Sequence, residues 1–231
     1  GDSVVSYADL SAQIIEASRA YLAHGIRPGD RVAVWSPNRL EFILAMLGAQ
    51  AIGAAVVPLN TRYTGHEAAL ILRRSGAVGL VVANSFLGRE PLQALRKAAA
   101  EDAGSEDSPI PGLPSLRLVV NLDSSTDSVD ATGWSTFLAG GATIGSAPLA
   151  AAFEEVGPGD VVDILYTSGT TGLPKGVMSA HRQTLGVARA WAAGAELSPE
   201  DRYAVVNPFF HGFGYKAGMI ACLLAGATIY P

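Results

Sequence analysis

The run Tyr166-Thr-Ser-Gly-Thr-Thr-Gly-Leu-Pro-Lys-Gly176 holds the densest set of groups able to do chemistry. Thr167, Ser168, Thr170 and Thr171 crowd around Gly169 and Gly172, and Lys175 follows three residues later. Glycine lets backbone N–H groups turn toward an anion, hydroxyls add donors, and lysine supplies a point charge. Together they make up the inventory of a polyphosphate cradle. A Walker A loop would need its lysine directly after glycine and a Ser or Thr next. Here Leu173 and Pro174 intervene and Gly176 follows the lysine, so that motif is excluded. The kinase-type glycine-rich loop does not fit either. An ordinary surface loop is the competing reading, and it wins for most short Gly/Ser patterns; this pattern is long and includes the lysine.

A second constellation is Asn207-Pro-Phe-Phe-His-Gly-Phe-Gly-Tyr215. Its candidate pocket residues are Phe210, His211, Phe213 and Tyr215. A strand ends near Pro208 and a helix starts near Phe213, so His211 falls at a strand-to-helix junction. Such junctions line ligand sites in α/β folds. Taken alone, a histidine among aromatics reads as a packed core residue. Lys216 interrupts an apolar helix face, and two readings stay open: its head snorkels to solvent, or it approaches a substrate. His24, His66, His181 and Cys222 show no metal-ligand spacing. The three histidines read as surface or capping residues, and no metal site is expected.

These residues need elements to hold them. Strand-like and helix-like runs alternate, which predicts an α/β layered fold of βαβ units with mostly parallel sheets. Ser6-Tyr-Ala-Asp9 and Thr64-Gly-His-Glu67 resemble capping boxes and start helices that end near Gly25 and Gly76. Strands are predicted at Arg31–Trp35, Ala54–Val57, Val78–Val82, Val161–Tyr166, Tyr203–Val206 and Ala227–Tyr230. Further helices are predicted at Arg39–Ile52, His181–Ala195 and Phe213–Ala225. Residues 101–115 and 124–133 are rich in Gly, Ser, Pro and acids, and read as loops. The expected organisation is a first α/β unit over 1–100, a loop-rich connection over 101–158, and the phosphate loop with the start of a second unit over 159–231. Pro28 to Pro58 and Pro199 to Pro231 share one plan of turn, strand, helix, glycine and strand. This suggests two related βαβ units, each in its own sheet.

Composition narrows the class. The 231 residues are 49% hydrophobic and 16% charged, as in a core-rich globular protein. The net charge of -5 and the lack of a basic block argue against nucleic-acid binding. The single cysteine, Cys222, allows no internal disulfide and reads as inert core. A cytoplasmic location is expected. Residues 42–61 carry no charge, yet Gly48, Gln50, Gly53, Pro58 and Asn60 make them a helix and a buried strand rather than a membrane span. No signal peptide is visible. The chain opens without Met, so residues upstream are expected.

The phosphate-loop run resembles the signature loop of the adenylate-forming superfamily, which includes acyl- and aryl-CoA synthetases, luciferases and peptide-synthetase adenylation domains. Arg27-Pro-Gly-Asp-Arg-Val-Ala33, Ala51-Ile-Gly-Ala-Ala-Val-Val-Pro-Leu-Asn60 and Asn207-Pro-Phe-Phe-His-Gly-Phe-Gly214 match in order. The resemblance is closest to actinobacterial fatty-acyl-CoA synthetases, including those of sterol-ring breakdown. It implies the N-terminal domain of that fold and a two-step reaction. A carboxylate attacks ATP to give an acyl-adenylate and pyrophosphate, and the coenzyme A thiol then takes the acyl group. ATP with Mg2+ and coenzyme A are therefore the implied cofactors and small-molecule partners, beside the carboxylic acid. By this likeness Thr167 to Gly172 and Lys175 hold the β- and γ-phosphates, while Phe210 and His211, with Phe213 and Tyr215, border the carboxylate pocket. Amino-acid-activating relatives place an aspartate in this region. No acid occurs from Tyr203 to Pro231, which suits a fatty, aryl or alicyclic acid. The family's adenine-stacking motif, magnesium-binding glutamate, ribose-binding aspartate, hinge and C-terminal catalytic lysine find no match here, so the chain alone is expected to be inactive. Two alternatives stay open: an acyl-AMP ligase loading a carrier protein, and a non-catalytic nucleotide-binding relative.

Overall fold

The computed structural model describes residues 4–101, 108–167 and 172–231. Helix α1 (Tyr7–Ala23) starts where the Ser6 hydroxyl accepts the Asp9 N–H at 3.1 Å. Strand β1 (Arg31–Trp35) follows, then α2 (Leu40–Ala51) and β2 (Ala55–Pro58). Helix α3 (Gly65–Ser75) begins with a complete capping box between Thr64 and Glu67 and ends at left-handed Gly76, φ 60°. A Thr N-cap with a reciprocal Glu satisfies two of the four orphan N–H groups of a helix start, about 1 kcal/mol relative to Ala at the cap.

Strand β3 (Gly79–Val82), helix α4 (Pro91–Ala100), and strands β4 (Leu118–Asn121) and β5 (Thr132–Gly133) come next. Helices α5 (Trp134–Gly140) and α6 (Ser146–Glu154) then lead to β6 (Val161–Thr167) and β7 (Lys175–Ala180). Helix α7 (His181–Gly194) and strand β8 (Arg202–Ala204) precede a π-wound helix, Phe213–Ile220, which tightens into α8 (Ala221–Ala225) before β9 (Thr228–Tyr230).

The main sheet has the order β5-β4-β3-β1-β2-β6-β7. Its pairings are parallel except that β7 runs antiparallel to β6. Strands β8 and β9 pair parallel in a second sheet. The two stretches of shared sequence plan thus each form a βαβ unit, one per sheet. Residues 42–61 fold as most of α2 followed by β2, and no single helix among the described residues is long and apolar enough to cross a membrane.

The central strands are apolar on both faces because helices cover both. Val32, Val34 and Val56 face α1 and α2, where Tyr21, Phe42 and Met46 are buried. Ala33, Trp35, Val57 and Leu80 face α3 and α4, beside Ile71, Leu72 and Leu95. Alternation along a strand sends successive side chains to opposite faces, which produces these two clusters from one run. The second unit joins the first cluster: Phe209 stands 5.4 Å from Phe42, ring centre to ring centre, with Tyr215, Met219 and Ile220 around it. Burying a side chain such as Phe42 contributes roughly 1.5–3 kcal/mol.

Candidate functional site

The phosphate-loop run begins on β6 and ends on β7, two strands paired antiparallel. Ser168, Gly169, Thr170 and Thr171 lie outside the described residues. Thr167 and Lys175 flank them as direct partners in the antiparallel ladder. Partners directly opposite each other share a sheet face, so the threonine and lysine side chains leave the sheet on the same side. Lys175 and Gly172 are exposed, and Gly172 adopts φ 88°, which L side chains rarely take. The sequence pattern places the lysine in a loop; in the fold it is the first residue of a strand.

Ladder register orders this face of the hairpin. Asp163 pairs Ser179, Leu165 pairs Val177, and Thr167 pairs Lys175. The three rungs occupy one face, from a polar pair through an apolar pair to the flanks of the glycine-rich turn. Over the middle rung lies a groove of about 610 Å³, lined by Leu165, Val187, Trp191, Phe213, Lys216 and Ala217. Trp191 and Phe213 form one wall in a T-shaped contact, centroids 4.9 Å apart.

The four aromatic and histidine candidates separate in space. Phe213 lines this groove. Phe210 lines another cleft, of about 660 Å³, beside Arg62, Phe86 and Arg89. His211 is exposed at the turn, and its Nδ1 accepts the Phe213 N–H at a long 3.4 Å. Tyr215 is wholly buried behind the groove, and its hydroxyl accepts from Gln50 Nε2 at 2.9 Å. Burial, then the Asp163 charge, pushes the Tyr215 phenol well above its ordinary value, so it stays neutral.

Two features carry no local sequence signal. Asn38, in the β1–α2 loop, clips the Asn207–Phe209 turn: Nδ2 donates to the carbonyls of Val205 and Asn207, each at 3.0 Å, and Oδ1 accepts the Phe209 N–H at 2.7 Å. Gly214 completes that turn, since a Cβ there would come within 2.2 Å of the Pro208 carbonyl oxygen. Beneath the groove lies a buried polar network. Asp163 is 0% exposed; its Oδ2 accepts from Thr184 Oγ1 at 2.7 Å, and its Oδ1 lies 3.2 Å from Lys216 Nζ. The Oδ1 contact is ionic without an aligned hydrogen bond. Lys216 Nζ also donates to Ser179 Oγ at 2.8 Å. Lys216 thus points inward rather than snorkelling to solvent.

The other candidates are quiet. Cys222 is buried, and burial with the Asp201 charge raises its thiol to about 11, so it is not a nucleophile at neutral pH. His24 Nδ1 lies 2.8 Å from the Ala20 carbonyl, and exposed His66 Nε2 pairs with Glu101 at 2.8 Å. His181 opens α7, half-buried rather than at the surface. No group of three or more His, Cys, Asp or Glu side chains suited to a metal ion occurs among the described residues.

Comparison with known proteins fits this architecture. The AMP-binding enzyme family matches residues 1–231, and the chain belongs to that family. A 3-[(3aS,4S,7aS)-7a-methyl-1,5-dioxo-octahydro-1H-inden-4-yl]propanoyl:CoA ligase of Mycobacterium tuberculosis is 47% identical over 96% of this chain and 41% of its own length. The Rhodococcus jostii protein of the same name is 42% identical over 100% of this chain and 43% of its length. Among solved structures, the inhibitor-bound N-terminal domain of FACL13 from Mycobacterium tuberculosis superposes with a TM-score of 0.74 at 28% identity, covering 99% of this chain and 50% of that one. The chain therefore spans about two fifths of the length of the curated relatives it matches.

Proposed function

We propose that the full-length protein activates a carboxylic acid with ATP, releasing pyrophosphate, and passes the acyl group from the adenylate to coenzyme A. In this reading the chain is part of the N-terminal domain of that enzyme, with a first α/β unit, a connecting region and a second unit that carries the phosphate loop. The observation that carries it is the pairing of Thr167 with Lys175 at the facing ends of β6 and β7, one rung from an apolar groove. The hydroxyls of Thr167, Ser168, Thr170 and Thr171, with backbone N–H groups at Gly169 and Gly172, donate to the β- and γ-phosphates, and Lys175 adds positive charge. Charge grows on pyrophosphate as it leaves, so donors fixed there favour the transition state over bound ATP. Mg2+ would neutralise the phosphates further; the described residues offer no carboxylate cluster for it, and no step here depends on it.

The acid's apolar body lies in the groove between Trp191, Phe213 and Leu165, with His211, next to groove-lining Gly212, bordering the reacting end; Phe210 lines the separate cleft instead. The relatives at 47% and 42% identity support a propanoic acid carried on a fused, keto-bearing ring system as the substrate class. The reaction is proposed for the cytoplasm, where a free thiol such as Cys222 stays reduced.

Carboxylate-dependent exchange of pyrophosphate into ATP, with fatty, aryl and alicyclic acids, tests the first half-reaction on the full-length protein. Exchange with alicyclic propanoic acids, followed by thioester formation only when coenzyme A is added, is the expected result. A folded protein that binds ATP yet exchanges with no acid rejects the reading.

A further inference from the structure

We infer that Lys216 is a specificity-determining residue of the groove: its ammonium binds a neutral oxygen, ketone or hydroxyl, on an acyl group that is otherwise hydrocarbon. This rests on the proposed acid-activating function and assigns the part of the acid that the groove selects.

The placement of the ammonium is the first argument. A lysine on a helix beside an apolar surface ordinarily carries its head out to water. Lys216 does the reverse. Its side chain is 13% exposed, and Nζ is held by Ser179 Oγ at 2.8 Å and Asp163 Oδ1 at 3.2 Å, with the Tyr215 ring centre 5.7 Å away. An ammonium has three N–H donors. Ser179 accepts from one, Asp163 Oδ1 makes an ionic contact without an aligned hydrogen bond, and Lys216 is the charged member of a groove whose other named walls, Leu165, Val187, Trp191 and Phe213, are apolar.

Charge balance is the second. Asp163 is fully buried and carries one negative charge against the one positive charge of Lys216. The pair is neutral as a unit, so a second carboxylate entering the groove would be dehydrated without net compensation. A ketone or hydroxyl brings a lone pair and no charge, and gains a charge-assisted hydrogen bond. A plain hydrocarbon covering the groove gives the ammonium no acceptor beyond Ser179, which is the stronger discriminator.

The ladder gives a length. From the Asp163/Ser179 rung to the Thr167/Lys175 rung is four residues of strand, roughly 13 Å at 3.3–3.4 Å per residue. With the reacting carboxylate at the Thr167 end and the oxygen at Lys216, the acid is compact, and its oxygen sits within about 13 Å of the carboxylate.

The test uses the full-length protein and pyrophosphate exchange with two acids of one carbon skeleton, an alicyclic propanoic acid and its ring-keto counterpart. The wild type is expected to favour the keto acid in kcat/KM by about 10–100-fold, the worth of one hydrogen bond to a charged group. Lys216→Met should bring that ratio toward one. Because this variant strands a buried carboxylate, the double variant Asp163→Asn with Lys216→Met is measured beside it; the introduced amide oxygen still accepts from Thr184, and the side chain carries no charge. A wild-type ratio near one, or a ratio that survives in either folded variant, overturns the assignment while the adenylation reading stands. Exchange with neither acid defeats the adenylation reading, and the assignment falls with it.

Discussion

Thr167 and Lys175 are direct partners across the β6–β7 ladder, so a hydroxyl-bearing and an ammonium-bearing side chain leave one sheet face at the facing ends of the two strands. Both groups are fixed by strand backbone rather than by a free loop. Lys175→Ala and Ser168→Ala in the full-length protein are therefore expected to lower kcat for pyrophosphate exchange by about 10²–10³-fold each, the range for deleting one transition-state donor. Lys175 is exposed, so the melting temperature of its variant should shift little. Exchange rates that match the wild type in both variants would remove these residues from phosphate binding.

Gly214 has no room for a side chain: Cβ would meet the Pro208 and Asn207 carbonyl oxygens at 2.2 and 2.4 Å. These are backbone atoms and cannot swing aside. Gly214→Ala should destabilise by about 1–3 kcal/mol, as overpacking does, and should displace the turn that carries His211. Urea midpoints report the first effect and KM for the acid the second.

Thr184 supplies a short hydrogen bond to a carboxylate sealed from water. Thr184→Val keeps the shape and deletes the donor. The expected loss is about 1–3 kcal/mol, the cost of leaving a buried acceptor short of a partner. Denaturant titration of the pair decides it; a loss below a few tenths would mean that water reaches Asp163.

His181 titrates in a useful window. Burial holds its pKa below the ordinary 6.5, against the raising influence of Asp160 and Asp163. The folded state thus binds its proton less readily than the unfolded chain. Unfolded chains take up more protons as pH falls from 6.5 toward the lower folded value, so stability is full above 6.5 and declines through that interval. His181→Gln should flatten the profile between about pH 7.5 and 5.5, centred on the free histidine value. Equal slopes for wild type and variant in denaturation midpoints would show that other groups set the acid response.

Much of this fold was legible because its elements are locally consistent. Arg31–Trp35 is an apolar run closed by turn residues, and Thr64-Gly-His-Glu67 contains both halves of a capping box. Strand β7 was not legible. Lys-Gly-Val-Met-Ser-Ala has a glycine, two exposed hydrophobic residues and no clean alternation, and it is extended because β6 offers it a ladder. Helices α4, α5 and α6 are short, and α4 and α6 are alanine-rich, so their periodicity is weak, although Pro91 at the first turn of α4 was a usable signal. Phe213–Ala225 read correctly as helical, but no local pattern encodes its π-wound start, which packs on α7. Among the candidate residues, the sequence grouped Phe213 with Phe210, His211 and Tyr215, which the fold places apart. Spacing could not separate Tyr215, turned into the core, from its neighbours on the same helix. The Asp163–Lys216 pair joins residues far apart in the chain and emerges only from topology.

The Asn38 clip has a kinetic consequence. Its three bonds span 167, 169 and 171 positions. Contacts of such separation repay their loop-closure entropy late, after the nearer β1, β2 and β3 pairings have formed. The turn bearing His211 is then expected to take shape only once the first sheet exists to receive it. Asn38→Ala should accelerate unfolding and leave the refolding rate nearly unchanged, the signature of an interaction absent from the folding transition state.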